Sequence, residues 1–252
     1  MDQDTGLSRQ RHGFESRWGR LKNFYKMWYF LKVYRILLKI IFLLSFMCIN
    51  LYGENFIELP QPHYKGSVTL EETLKERRSV REFSSHSLSL QEISQLLWAM
   101  QGITGSSGGR TAPSAGALYP LEIYLVVGNV KDLPAGIYKY EPLKHRLIKI
   151  KEGDKREGLS YAALGQPWIK KAAVDFVIAA VYERTTRKYG ERGIRYVHIE
   201  VGHAAQNLLL QATALGIGAV TVGAFYDSEV KKVVGLKNEE QPLYIIPVGK
   251  KK

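Results

Sequence analysis

The chain carries a single cysteine in 252 residues, Cys48, which excludes a disulfide framework and any Cys-rich zinc site. Redox chemistry would therefore need a cofactor. Internal repeats and low-complexity tracts are lacking, and no Ser/His/Asp set or paired-carboxylate pattern stands out. Long apolar runs are lacking too. The run Ile40 to Tyr52 has 13 residues, short of the roughly 17–25 that span a bilayer. Acidic residues are scarce, 24 against 36 Lys/Arg, for a formal charge of +12. Residues 1–53 hold nine Lys/Arg and three Asp/Glu, leaving 27 against 21 in the other 199. The body is thus only mildly basic, which suits a local anionic ligand and gives no reason to expect nucleic-acid binding, where Lys/Arg gather on one face. With 45% apolar and 24% charged residues, the composition is that of a globular protein, not of a disordered or multi-span membrane protein.

What is present at the N-terminus has the charge layout of a secretory signal peptide: Lys32, Arg35 and Lys39 precede the apolar run. An uncleaved membrane anchor is the alternative. Either places the protein as exported or membrane-anchored, with a cytoplasmic location as the other reading. Phe46 and Met47 stand where lipidation of Cys48 needs small residues. Gly13-Phe14-Glu15-Ser16-Arg17 is what GGG-TTC-GAA-TCC-CG encodes, a string similar to a transfer-RNA T-arm, so the product is expected to begin at Met27. The chain divides into a leader (1–53), a linker (54–68) punctuated by Pro60 and Pro62 that reads as a tether or a surface-hugging arm, and a globular domain (69–252).

Within the domain, Thr69 with Glu72 and Ser89 with Glu92 form two capping boxes. They predict one helix running to Ser79-Val80 and another with Ile93, Leu96, Leu97 and Met100 on one stripe and Trp98 off it. GITGSSGGRTAPSAGALYP holds too many helix and strand breakers to be anything but a loop. Strands are predicted at Glu122 to Gly128, at GIYKYEP and RLIKIKEG around a turn at Pro142 to His145, and at Asp175 to Tyr182. A long helix runs from Tyr196 to Leu215 and buries Ala204, Leu208 and Ala212. The chain continues with a strand at GAVTVGAF, a helix at SEVKKVVGL and a strand at PLYIIPVG. Helices and strands without regular βαβ alternation give an α+β class.

Three segments could carry chemistry. Arg77, Arg78 and Arg81 crowd a turn with Ser79, either to grip phosphate oxygens or as a solvated cationic helix end. The Gly-rich loop is either a backbone cradle for a flat ligand or a mobile surface loop. In GIGAVTVGAF, Gly216, Gly218 and Gly223 leave backbone uncovered for a planar ring. His198 and His203, five apart, point to different sides of their helix, so a core or hydrogen-bonding role fits His203 better than metal ligation.

As a set, RRSVREF, APSAGALYP, GIGAVTVGAF and the closing PVG resemble the FMN-dependent nitroreductase family, and TAPSAGALYPLE and RYVHIEVGHAAQNLLLQA resemble its SagB/thiazole-oxidase type dehydrogenases. The resemblance covers roughly Leu70 to Gly249. It implies an α+β, nitroreductase-like FMN-binding fold, with a central antiparallel-type sheet flanked by helices. It also implies an intertwined homodimer with FMN at the subunit interface. It assigns Arg77, Arg78 and Ser79 to the FMN phosphate and ribityl chain and Arg81 to N1 and O2 of the ring. Pro113, Ser114, Ala115 and Gly116 match the loop laid against the flavin from the partner subunit, and Val222 and Gly223 the segment whose backbone N–H faces N5. Lys250 matches the phosphate-binding cation beyond the final strand. The chain departs from many nitroreductases at Ala117 and Tyr119, where Asn and Gln are common, and at Gly223, where an acidic residue is. No metal and no side-chain nucleophile is implied; flavin N5 is the reactive centre. The implied activity is hydride transfer in two half-reactions between NAD(P)H and a small organic acceptor. Azoline oxidation in a peptide is an alternative, and so is a flavin-binding module without turnover.

Overall fold

The computed structural model describes residues 26, 28–42, 56–105 and 108–252. Met27, Cys48, Gly13 to Arg17 and most of the apolar run ending at Tyr52 lie outside them. Residues 28–42 form a helix, α1, with every residue exposed. Among the described residues no helix is long and apolar enough to cross a membrane. The chain splits into two compact units, residues 1–54 and 55–252; the second is described from here on.

Its centre is an antiparallel sheet of seven strands in the order β1-β4-β3-β2-β5-β7-β6. The strands are β1 (Phe56–Glu58), β2 (Leu121–Val127), β3 (Gly136–Glu141), β4 (Arg146–Glu152), β5 (Val174–Ala180), β6 (Ile217–Ala219) and β7 (Gln241–Lys250). β5 is buried along its whole length, as its apolar sequence VDFVIAA requires of a strand covered on both faces. On one face pack α3 (Leu90–Gln101) and α7 (Arg192–Ala214). Ile93, Leu96, Leu97 and Met100 of α3 meet Ala204, Ala205, Leu208 and Ala212 of α7 over Phe176 and Ile178 of β5. The small α7 residues bring the two helices close, and each large side chain buried adds about 1.5–3 kcal/mol. On the other face α4 (Arg156–Ala162), α5 (Pro167–Lys171) and α8 (Asp227–Val234) cover Val126, Val177 and Ile245.

Both capping boxes form, Thr69 and Ser89 each accepting from the N3 backbone while Glu72 and Glu92 bond back. The first helix, α2 (Leu70–Glu76), stops short of the expected Ser79-Val80. Arg77 turns to ψ 120 as its cap, and the chain then runs extended so that Ser79 pairs with Ala219 and the Val80 N–H donates to the Ala219 carbonyl at 2.9 Å. The strand expected at GAVTVGAF is regular only to Ala219; beyond it, Val222 alone bridges Ile245. α7 starts at Arg192, ahead of the expected Tyr196. Residues 54–68, expected as a linker, carry β1, which pairs with β4, and bury Leu59. His145 fastens this arm: its Nε2 meets Ser94 Oγ at 2.8 Å and the Pro60 carbonyl at 3.1 Å, while its Nδ1 meets Tyr140 Oη at 2.8 Å.

Candidate functional site

Two stretches approach the sheet at opposite ends. Ser79 lies beside Ala219, which pairs with Val248 and through it with Val174. The loop Pro113–Tyr119 instead leads directly into Leu121, whose partner is Ala180. From Val174 to Ala180 is the full length of β5, about 20 Å at 3.4 Å per residue. Arg77–Arg81 and Pro113–Gly116 of one chain therefore do not share a pocket; Val222 bridges Ile245, level with Val177 at mid-strand, and Gly223 opens beside Pro242–Tyr244, level with Ile178 and Ala179.

At the first end, Arg77 is half-buried and Arg78, Ser79 and Arg81 are exposed. None of the three guanidinium groups meets a carboxylate among the described residues. The Arg78 side chain turns back onto the Lys75 and Arg77 carbonyls at 2.8 Å. The Arg81 guanidinium sits 5.4 Å from the centre of the Trp168 ring, a cation–π distance. The backbone is tight here: a Cβ on Gly218 would fall 2.7 Å from a Val80 methyl. Lys250 belongs to β7 itself, and its ammonium is held by Glu92 at 2.5 Å, so an anion at this cation competes with a carboxylate.

Val222 spends its N–H on the Ile245 carbonyl at 2.8 Å. The Gly223 N–H has no such backbone partner among the described residues, and the nearest atom to a Cβ at Gly223 would be 3.8 Å away. Gly223 opens on a cleft of about 400 Å³ lined also by His198, Gly202, Phe225, Asp227 and Tyr244. His198 is tied to Tyr182 Oη at 2.5 Å, while His203 is exposed rather than in the core. No metal-binding cluster occurs among the described residues.

At the other end, Pro113 to Gly116 lie in a loop with a turn of 3-10 helix at Ala115–Ala117. Ala117 and Tyr119 hold positive φ, 54 and 46, a conformation unfavourable by roughly 1–2 kcal/mol each for residues with a Cβ. Gly116, at φ 64, is also sterically required, because a Cβ would lie 2.7 Å from Tyr189 Oη. Tyr119 is held from three sides: its N–H donates to Ser114 Oγ at 2.9 Å, its carbonyl accepts from Arg184 at 3.1 Å, and its ring lies 4.3 Å from the Arg110 guanidinium. Beneath the loop Glu200 is 2% exposed. Burial raises its carboxyl to about 7, against the opposing pull of the Ser114 hydroxyl, the Arg110 charge and the Gln101 amide.

Sequence reasoning passed over Trp168, Gln166, Arg110 and Glu200. Gln166 donates to the Ala224 carbonyl at 2.9 Å, tying the start of α5 to the segment that carries Gly223. Its only trace in the sequence is Pro167 at the first turn of a helix. Glu200 was visible only as the carboxylate between two histidines.

The nitroreductase family profile matches residues 74–250. A Methanocaldococcus jannaschii protein named as a nitroreductase is 51% identical over 184 residues, 73% of this chain and 92% of the relative. The microcin B17-processing protein of Escherichia coli is 30% identical over 59% of this chain; the match spans 57% of that relative's length. A solved nitroreductase-type structure from Ralstonia eutropha superposes with a TM-score of 0.70 at 30% identity, covering 79% of this chain and 92% of that one. Matched over more than two thirds of its length, with the antiparallel α+β sheet in place, the chain belongs to the nitroreductase family of FMN-dependent oxidoreductases.

Proposed function

We propose that two copies of this chain bind FMN between them and pass hydride from NAD(P)H to a small organic acceptor. The observation that carries this reading is the division of the site. The cationic turn lies at the Val174 end of β5 and the Pro113–Gly116 loop at the Ala180 end, so one chain does not bring the two to a single ligand, whereas a second copy can. The residues fit the cofactor on their own chemistry. Three guanidinium groups without carboxylate partners suit a phosphate and the polar chain behind it, Arg77, Arg78 and Ser79 first. Gly223 supplies an uncovered backbone N–H and Gly202 and Gly223 open space on the cleft wall, as a planar ring requires.

Bound FMN supplies hydride acceptance and return at N5. Arg81, placed against Trp168, would supply a positive charge to hold the ring and favour its taking up hydride. The Gly223 N–H offers a donor to a ring nitrogen. Phe225 and Tyr244 form an apolar wall that excludes water and admits a flat acceptor. Because positioning and the cofactor's own electronics carry the chemistry, no side-chain nucleophile is required.

Mass spectrometry of the small molecule released from the purified full-length chain, followed by anaerobic mixing with NADH or NADPH, tests the reading. FMN that bleaches and is re-oxidised by a quinone or nitroaromatic is expected. A flavin that stays oxidised with every donor would identify a binding module instead, an outcome that Ala117 and Gly223 make worth checking. The similarity to the microcin B17-processing protein favours one further substrate class, an azoline-containing peptide oxidised to the azole with O2 as final acceptor. Turnover of such a peptide without NAD(P)H would establish it. Dilution is expected to release FMN as the two copies part.

A further inference from the structure

We infer that α1, residues 28–42, is a membrane-surface helix. It lies in the plane of a bilayer that carries anionic lipid, with Lys32, Arg35 and Lys39 at the headgroups and the rest of its circumference among the acyl chains. Binding of this kind is independent of the flavin chemistry, and either can fail without the other.

Three observations meet on this helix. Its side chains are large, apolar and exposed, Phe30 at 79% and Leu37 at 51% among them, a surface that water penalises along its whole length. Its cations share one stripe. At about 100° per residue, Lys32, Arg35 and Lys39 fall within an arc of about 60°, and Trp28 lies in the same arc. The Lys32 Nζ sits 5.0 Å from the centre of the Trp28 ring. Finally, the stripe lacks a counter-charge. No Asp or Glu occurs between Glu15 and Glu54, and among the described residues none of the three cations is in an ion pair.

The narrow cationic arc selects the occupant. Pairing with the same helix of a second copy would cover an apolar stripe of about 100° and leave most of the remaining circumference in water, and the two copies carry the same charge. An acyl layer surrounds the whole apolar arc of about 300°, while anionic headgroups supply the charge that the stripe lacks. The long Lys and Arg stems let the charged ends reach those headgroups from a helix set deep in the interface, and the Trp28 indole, on the same stripe, belongs at that boundary. The stripe also favours lying flat over crossing. In a crossing helix Lys32, Arg35 and Lys39 would be spread over about 10 Å of depth, whereas in a flat one they reach a single level. At 1.5 Å per residue α1 extends about 22 Å, short of a hydrocarbon core of about 30 Å.

Flotation of the purified full-length protein with vesicles tests this, using phosphatidylcholine alone and an equimolar mixture of phosphatidylcholine and phosphatidylglycerol. Binding to the anionic vesicles is expected to be at least about tenfold stronger and to fall about fivefold for each of Lys32→Gln, Arg35→Gln and Lys39→Gln. Leu37→Glu, opposite the cationic stripe, is expected to abolish it, and an unaltered thermal melt shows that the globular unit of each variant is intact. Nitroxide probes at Phe30→Cys, Lys32→Cys, Leu37→Cys and Lys39→Cys, in a Cys48→Ser background, report the orientation. Positions 32 and 39 are expected to be open to a water-soluble relaxant and positions 30 and 37 to dissolved oxygen. Failure to float with either vesicle, equal binding to both, or charge variants that bind as the wild type does overturns the inference. So does an accessibility that changes steadily along the chain, as in a crossing helix, or a native protein, isolated from the cells that make it, whose chain begins after residue 42.

Discussion

Asp175 and Glu200 are buried carboxyl groups on opposite faces of the sheet, and burial raises both, but to different extents. On the α4/α5 face Asp175 is fully buried with neither oxygen hydrogen-bonded. Burial raises its carboxyl well above the ordinary range, against the attraction of Arg156. Arg156 is itself paired to Asp154 at 2.6 Å and to the Ala172 carbonyl at 2.5 Å. On the α3/α7 face Glu200 has Ser114, Arg110 and Gln101 at hand, and its carboxyl titrates at about 7. The difference shows what a few incomplete polar neighbours do. Without them burial raises a carboxyl well above the ordinary range, against Arg156 alone; with them the rise stops at about 7.

The largest effect expected is on packing. Phe176→Ala, in the core shared by α3 and α7, should lower stability by about 3–5 kcal/mol in urea unfolding. A loss under 1 kcal/mol would show the larger core to be loosely filled. Next comes Asp175→Asn. A folded-state pKa raised above the unfolded one gives stability that is full below the unfolded carboxylate range and is lost as pH rises towards the folded value. Wild type should therefore weaken from about pH 4 upward, and Asp175→Asn should gain about 1–3 kcal/mol at pH 8 and lose that slope. An unchanged slope would mean that the acid is paired after all. Glu200→Gln should remove a narrower slope, from the ordinary glutamate range up to about 7; thermal melts across that window measure it. If both acids gave identical profiles, the contrast between the faces would fail. The smallest effect is at the helix starts: Ser89→Ala should lose about 1 kcal/mol, and Thr69→Ala, on an exposed helix, less.

Much of this was legible in the chain. The capping boxes marked α2 and α3 because two side chains reciprocally satisfy end groups that only a helix start leaves open. β2 and β5 showed as short β-rich runs, and α7 showed through its small and large apolar residues at helical spacing. α4, α5 and the helix Glu183–Tyr189 were missed, since five to seven residues offer too few turns for a period to register. β1 was missed because Phe56–Glu58 becomes a strand only by pairing with β4. Of the candidate site, the Arg77–Arg81 turn, the Gly116 loop and Gly223 stood out by composition. That the turn and the loop fall at opposite ends of β5 did not, because it follows from strand order and register. Tyr119 and Ala117 gave no warning of positive φ, as nothing in a lone Ala or Tyr asks for it.

The strand order also has a consequence for synthesis. β7 lies between β5 and β6, Phe83 bridges Lys251, and the Ser84 N–H donates to the Lys250 carbonyl at 2.9 Å. A ribosome therefore completes α2, α3 and six of the seven strands before the one that joins β5 to the far edge exists. Until β7 is made, one flank of β5 has no neighbour, and β6, which carries the Ala219 partner of Ser79, has no place in the sheet. From the synthesis of β5 until β7 emerges the nascent chain carries an open apolar strand, and its folding depends on what shields that strand in the interval.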